Sequence, residues 1–282
     1  MPPSPEISRG FIRIVEGQVH YRSAGLHHDG LPLVMFHPSP ASSKVLEPLI
    51  TRFAQTRPVY ALDTLGNGDS APPVDLRREI APYADAHLRA LQALGITRFD
   101  AYGTHTGGNI ACEIAISAPD RVRRMILDGM SVYTDDERDD MLLHYAPGVT
   151  KDVNGTHLLW IWNFVKDTYL WWPWYRRTPD TRRDQGLPPA EVLHDKVLEV
   201  LKAASTYHYP YQAAIAYPKR ERLPLIQVPT LLTCAETDML KVYFDAARAL
   251  LPRAEATMTP GMLTEADARR TLLVMLEFLD RA

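Results

Sequence analysis

Only two of the 282 residues are cysteines, Cys112 and Cys234. Both fall in apolar stretches, so they read as reduced core thiols and exclude a disulfide framework. No apolar run is long enough to span a bilayer. Neither sign of charge is in excess: 31 basic against 34 acidic side chains leave a formal net charge of −3, which offers no footprint for nucleic acid or an anionic membrane. The expected partner is therefore a small-molecule substrate, with no nucleic acid and no membrane, and homodimerisation is left open. The opening Met1-Pro2-Pro3-Ser4-Pro5-Glu6 lacks the basic flank and apolar run of a secretory leader, so a cytoplasmic location is expected. Internal repeats and low-complexity tracts are also missing.

What is present is a change of pattern along the chain. Strand signals at 11–15 and 18–22, separated by Glu16-Gly17, predict a hairpin. From about residue 31 to 132 strands alternate with helical stretches, the pattern of a parallel sheet covered on both faces. Between about 133 and 218 the strands stop and long helical stretches take over. All five tryptophans lie there, at Trp160, Trp162, Trp171, Trp172 and Trp174, with Phe164, Tyr169 and Tyr175. Strand signals resume at 228–235 and 254–258, and an amphipathic helix is predicted over 264–281. The expected division is a core in two parts, 1–132 and 219–282, interrupted by a helical cap at 133–218. The cap aromatics serve packing, roof a pocket, or do both.

Four turns punctuate the predicted strands. His37-Pro38-Ser39-Pro40 follows the apolar run 33–36, and Asp63-Thr64-Leu65-Gly66-Asn67-Gly68-Asp69-Ser70 follows 59–62. Gly103-Thr104-His105-Thr106-Gly107 stands between a strand at 98–102 and a helix start at 108–115. Asp238 closes the loop after 229–235. A strand, a glycine-pinched turn and a helix hold the central side chain on a strained, exposed apex. The set resembles the α/β-hydrolase superfamily over nearly the whole chain, and the resemblance implies an eight-stranded, mostly parallel sheet with a helical cap. It also implies that His105 stands where the nucleophilic serine belongs, that Asp238 is the catalytic acid, and that the backbone N–H groups of Ser39 and Thr106 form the oxyanion hole. The departure is double. The late loop reads Pro260-Gly261-Met262-Leu263, with Met262 where the family carries its general base, so an ordinary Ser-His-Asp mechanism is excluded.

A histidine on the elbow has chemistry of its own. The helix N-terminus favours neutral imidazole, a nearby Asp238 carboxylate favours the cation, and both leave the ring titrating near neutral pH. His105 reaches farther than a serine hydroxyl, so it is expected to bond Asp238 directly, with Met262 as an apolar filler beside it. Such a pair activates water for hydrolysis of an ester or lactone, which the family makes the default. It equally serves a cofactor-independent lyase, isomerase, cyclase, decarboxylase or oxygenase through proton abstraction. A non-catalytic pseudohydrolase that only binds its ligand is the third reading. Substrate contacts are expected from His37, Trp160, Trp172, Tyr209 and Met262, although the resemblance gives His37 mainly a role in loop structure, and His208 is the cap histidine best placed to join them. His37, His105 and Asp238 have the composition of a two-histidine, one-carboxylate metal set, but their separation carries no ligand spacing. Neither a metal nor a cofactor is expected.

Overall fold

The computed structural model describes residues 5–184 and 186–281. Met1-Pro2-Pro3-Ser4, most of the segment read against a leader, lies outside the described residues. Strands β1 (Ser8–Ile14) and β2 (Gly17–Ala24) form the predicted hairpin. The chain continues through β3 (Leu33–Phe36), α1 (Glu47–Phe53), β4 (Val59–Leu62), α2 (Ala81–Ala93), β5 (Phe99–Thr104), α3 (Thr106–Ser117) and β6 (Val122–Asp128). Four helices follow: α4 (Asp135–His144), α5 (Thr156–Leu170), α6 (Ala190–Lys202) and α7 (His208–Ala216). A one-turn helix α8 (Lys219–Arg222) leads back to β7 (Thr230–Ala235), then α9 (Phe244–Leu250), β8 (Glu255–Thr259) and α10 (Glu265–Leu279).

The eight strands form one sheet in the order β1-β2-β4-β3-β5-β6-β7-β8. The contacts from β3 to β8 are parallel, and only the first hairpin and its junction with β4 are antiparallel. Side chains alternate between faces with period two. Val34 and Phe36 therefore join Leu62, Ala101, Leu127 and Leu232 under α2 and α3, while Leu33 and Met35 join Ala61, Tyr102, Ile126 and Leu231 under α1 and α10. Burial on both faces is why these strands read as continuous apolar runs. Each large side chain removed from water there contributes about 1.5–3 kcal/mol.

Helices α4 to α7 occupy the stretch between β6 and β7 and hold a third apolar cluster of their own. Leu193, Val197 and Val200 line one face of α6 and meet Phe164, Trp174 and Tyr207. The stretch opens on a capping box: Thr134 Oγ1 accepts from the Glu137 N–H at 3.2 Å, and Glu137 Oε2 accepts from the Thr134 N–H at 2.8 Å. Cys112 and Cys234 are both buried free thiols. Among the described residues, no helix is long and apolar enough to cross a membrane.

Candidate active site

The end of β5 delivers the chain to His105, the non-glycine residue that takes positive φ among those described, at φ 51° and ψ −114°. A conformation that L-residues avoid persists only where its surroundings over-determine it. Here the His105 N–H donates to the Asp128 carbonyl at 3.2 Å, and the His105 carbonyl accepts from the Asn109 N–H and side-chain amide, each at 3.3 Å. The turn also packs hard on β3. A Cβ at Gly107 would lie 2.1 Å from the Phe36 carbonyl oxygen, so only glycine lets α3 start there.

From this apex the imidazole reaches Asp238, with His105 Nε2 donating to Asp238 Oδ2 at 2.8 Å. The carboxylate is fixed from its other side. Asp238 caps the short 3₁₀ turn Met239–Tyr243, its Oδ1 accepting from the Leu240 N–H at 2.8 Å. Room for the pair comes from Gly129 just after β6, at φ +69°, where a Cβ would stand 2.8 Å from the His105 ring and 2.9 Å from Asp238 Oδ2. Asp128 braces the floor by accepting from Tyr102 Oη at 2.9 Å and Thr233 Oγ1 at 3.0 Å.

Enclosure works against a charged His105, but the charge and hydrogen bond of Asp238, with Asp128 behind it, outweigh that penalty, so the His105 pKa is raised above its ordinary value. Burial likewise pushes Asp238 up. The charge and hydrogen bond of His105, the Leu240 N–H and the Arg183 guanidinium overcome it and hold the carboxyl below its usual range. With the Nε2 proton committed to Asp238, Nδ1 is the ring nitrogen left to act as a base.

His105 is partly exposed, 26% for the side chain, and it faces a cavity of about 230 Å³ lined by Pro38, Ser39, Tyr145, Phe164, Tyr211 and Met239. A smaller recess beside the same ring is bounded by Thr106, Ser131, Tyr133, Trp172 and Leu240. Of the two residues expected to supply backbone donors, Ser39 lines the cavity and Thr106 the recess, and His105 borders both. Ser39 also carries a buried hydroxyl without a hydrogen-bond partner.

The structure places four of the five residues expected to contact substrate outside the lining of the cavity and the recess. His37 is fully buried: its Nε2 accepts from the Thr64 N–H at 2.9 Å and its Nδ1 donates to the Pro38 carbonyl at 2.8 Å, so it ties two loops together. Both nitrogens being occupied, it cannot join His105 and Asp238 around a metal. Trp160 stacks on Phe164 at 5.3 Å and meets Trp174 edge-on at 5.9 Å, partly buried against the apolar cluster of the helical stretch. Tyr209 turns to the His208 ring at 4.0 Å, and neither residue borders the cavity. Tyr211 takes that place, because residues two apart on a helix point about 200° apart. Met262 is 37% exposed and fills nothing beside His105. Gly261, at φ +84°, brings the loop against Thr237, the Thr271 hydroxyl bonds the Gly261 carbonyl at 2.9 Å, and Met262 is left facing out. Of the five, Trp172 borders the recess beside His105.

Tyr145, Lys196, Glu199, Tyr211 and Gly129 escaped the sequence reading. Of these only Gly129 left a signal, as a glycine just past a strand end. Among the described residues, one His/Asp/Glu group brings its ligand atoms close enough for an ion: His20, Asp63 and Asp69. It is already occupied by protein donors, since Arg9 reaches His20 Nε2 at 3.1 Å and Asp69 Oδ2 at 2.8 Å, and the Ser43 N–H reaches Asp63 Oδ1 at 2.7 Å.

The chain matches the alpha/beta hydrolase fold family over residues 32–255. It is 38% identical over 135 residues to a 2-hydroxymuconate semialdehyde hydrolase of Pseudomonas putida, an alignment covering 45% of this chain and 44% of that protein. The chain thus spans less than half the length of that curated relative. Among solved structures it resembles an enol-lactonase from Burkholderia xenovorans, with a TM-score of 0.72, 18% identity, and 96% of this chain and 100% of that one covered. A bromoperoxidase from Bacillus anthracis gives a TM-score of 0.72 at 19% identity, covering 97% of this chain and 100% of the other.

Proposed function

The chain belongs to the alpha/beta hydrolase fold family, and from that premise we propose that it is an enzyme in which His105 has replaced the serine nucleophile and works with Asp238 as a general base. Helices α4 to α7 act as its cap. The substrate is a small to medium, apolar or aromatic carbonyl compound, and the default reaction is hydrolysis of an ester or lactone. One observation carries the reading: the 2.8 Å bond from the elbow imidazole to Asp238, with the ring still bordering a cavity. A histidine left behind by decay of a serine site would have no reason to find the acid.

In this mechanism His105 Nδ1 takes a proton from water as the oxygen attacks the carbonyl carbon. The tetrahedral oxyanion is held by the N–H groups of Ser39 and Thr106. The imidazolium, stabilised by Asp238, then returns its proton to the departing alkoxide as the carbon–oxygen bond breaks. Met262, exposed and off the site, has no part. The main rival uses the same base on a carbon acid. Its support is that the elbow apex holds an imidazole and no hydroxyl, so no covalent acyl intermediate on serine is available there. The two chemistries part in deuterated water, where exchange of the proton α to the carbonyl marks abstraction and acid release marks hydrolysis.

The test is a panel of aryl esters, enol esters and lactones assayed with wild type and His105→Ala. Loss of a base of this kind lowers turnover by about two to four orders of magnitude. Equal turnover by His105→Ala removes the residue from the mechanism, and tight binding of the physiological ligand without conversion establishes the binding-only reading.

A further inference from the structure

The cavity carries one positive charge that the protein itself does not answer. Helix α6 presents Lys196, Glu199 and Val200 to it, residues spaced to share a helix face. Glu199 is buried and already engaged, accepting from the Ser42 hydroxyl with Lys202 Nζ 3.5 Å from its other oxygen. Asp195, next to Lys196 in the chain, pairs with Lys44 at 3.3 Å. Asp238 is bonded to His105. Among the described residues Lys196 joins no ion pair; it is exposed on the edge of the cavity, and its ammonium lies over the Tyr169 ring at 4.8 Å from the centroid. Its charge is nonetheless felt at the base, where it opposes protonation of His105. Val45, Phe164, Val165 and Val200 give the lining apolar surface, and the Thr168 hydroxyl beside them is spent on the Val165 carbonyl at 2.7 Å.

We propose that Lys196 is a specificity residue that receives an anionic group of the ligand, so that the substrate class is a carboxylate-bearing apolar or aromatic carbonyl compound. The location rests on the reading of this cavity as the substrate site, but the recognition itself does not require chemistry to occur. An anion placed there gains a charged hydrogen bond that an uncharged isostere lacks, and the apolar walls hold the hydrocarbon part against them. Lysine suits the task because a long flexible stem lets an exposed ammonium stay hydrated until an anion takes the place of that water.

The test is binding, measured calorimetrically on the full chain with benzoate, phenylacetate and 3-phenylpropanoate, each against its own primary amide. At least one acid binds about five- to tenfold tighter than its amide, a preference that weakens as salt is raised. Lys196→Met, which keeps the apolar stem, abolishes the preference, Lys196→Arg keeps it, and His105→Ala leaves it intact. That last arm separates this proposal from the catalytic reading, since a failed base leaves recognition standing. The proposal is overturned by equal affinities of every acid and amide, by failure of every acid to bind, or by an acid preference that survives in Lys196→Met. A change confined to thermal stability in Lys196→Met also overturns it, because that outcome reduces the residue to its contact with Tyr169.

Discussion

In the turn at 103–107 the backbone leaves no choice, whereas in α7 it leaves several. Gly107 sits where a Cβ would strike the Phe36 carbonyl, His105 is held at positive φ by bonds to Asp128 and Asn109, and the ring can go only across Gly129 to Asp238. Tyr209 and Tyr211 lie two residues apart on one helix, both aromatic and polar-tipped, and one meets a histidine while the other meets the cavity. The difference teaches where function is written in such a chain. Turns at strand ends fix atoms by steric exclusion, while an aromatic helix fixes only a supply of side chains that packing then distributes.

That contrast can be broken from either side. The largest effect on stability is expected within the helical stretch, where Phe164 is fully enclosed among Trp160, Trp174 and Tyr207. Phe164→Ala is expected to cost about 3–5 kcal/mol in chemical denaturation. A cost below about 1 kcal/mol would show that this cluster is not a packed core. Next comes Gly129→Ala, which places a methyl against both members of the dyad on a left-handed backbone. It is expected to lose about 1–3 kcal/mol and to slow turnover together. Full activity in that variant would mean that the His105–Asp238 contact is dispensable.

Smaller effects sharpen the division among the aromatics. Trp172→Phe is expected to weaken ligand binding with little change in melting, and Trp160→Phe to do the reverse, each by about 1 kcal/mol. Matching profiles for the two variants would erase the distinction drawn between recess and cluster. The smallest effect belongs to Met262→Ala, exposed as it is, within about 0.5 kcal/mol and with unchanged turnover. For the same reason His105→Ser combined with Met262→His is not expected to produce an esterase, because the loop points residue 262 outward; burst release of a chromophore from an activated ester would contradict this.

Legibility in the sequence followed the same line. The strands were visible because burial on both faces makes them apolar runs, and the four turns because glycine, proline and aspartate spacing at strand ends carries geometry. The hydrogen bond between His105 and Asp238 was legible because those turns resemble the family's and so gave both residues an address. Met262 was not, since the loop's course depends on Gly261 packing against Thr237 and on a hydrogen bond from α10, neither of which leaves a local trace. His37 carried two readings for a related reason: a histidine beside a turn looks the same in sequence whether its nitrogens face a ligand or, as here, bond the Thr64 and Pro38 backbone. Lys196 and Glu199 entered the site through the rotation of α6, which is set by Leu193 and Val197 on its inner face.

The pH dependence follows from the signs of the two shifts. The His105 pKa is raised from 6.5, so its contribution to stability is complete below that value and is lost as pH rises through the higher folded-state pKa. The Asp238 pKa is lowered from 3.8, so its contribution is present above that value and is lost as pH falls through the folded-state pKa. In the proposed mechanism the neutral ring is the base, so turnover is expected to rise with pH along a limb set above 6.5, and Asp238→Asn to move that limb downward.

The central claim is that the elbow histidine is a base tuned and aimed by Asp238, and nitrogen-15 NMR titration of the His105 ring tests it most directly. The account predicts a neutral tautomer protonated on Nε2, an Nδ1 that titrates above the ordinary histidine range, and a fall of that pKa in Asp238→Asn. A proton on Nδ1 in the neutral form, or a titration that Asp238→Asn leaves in place, would contradict it.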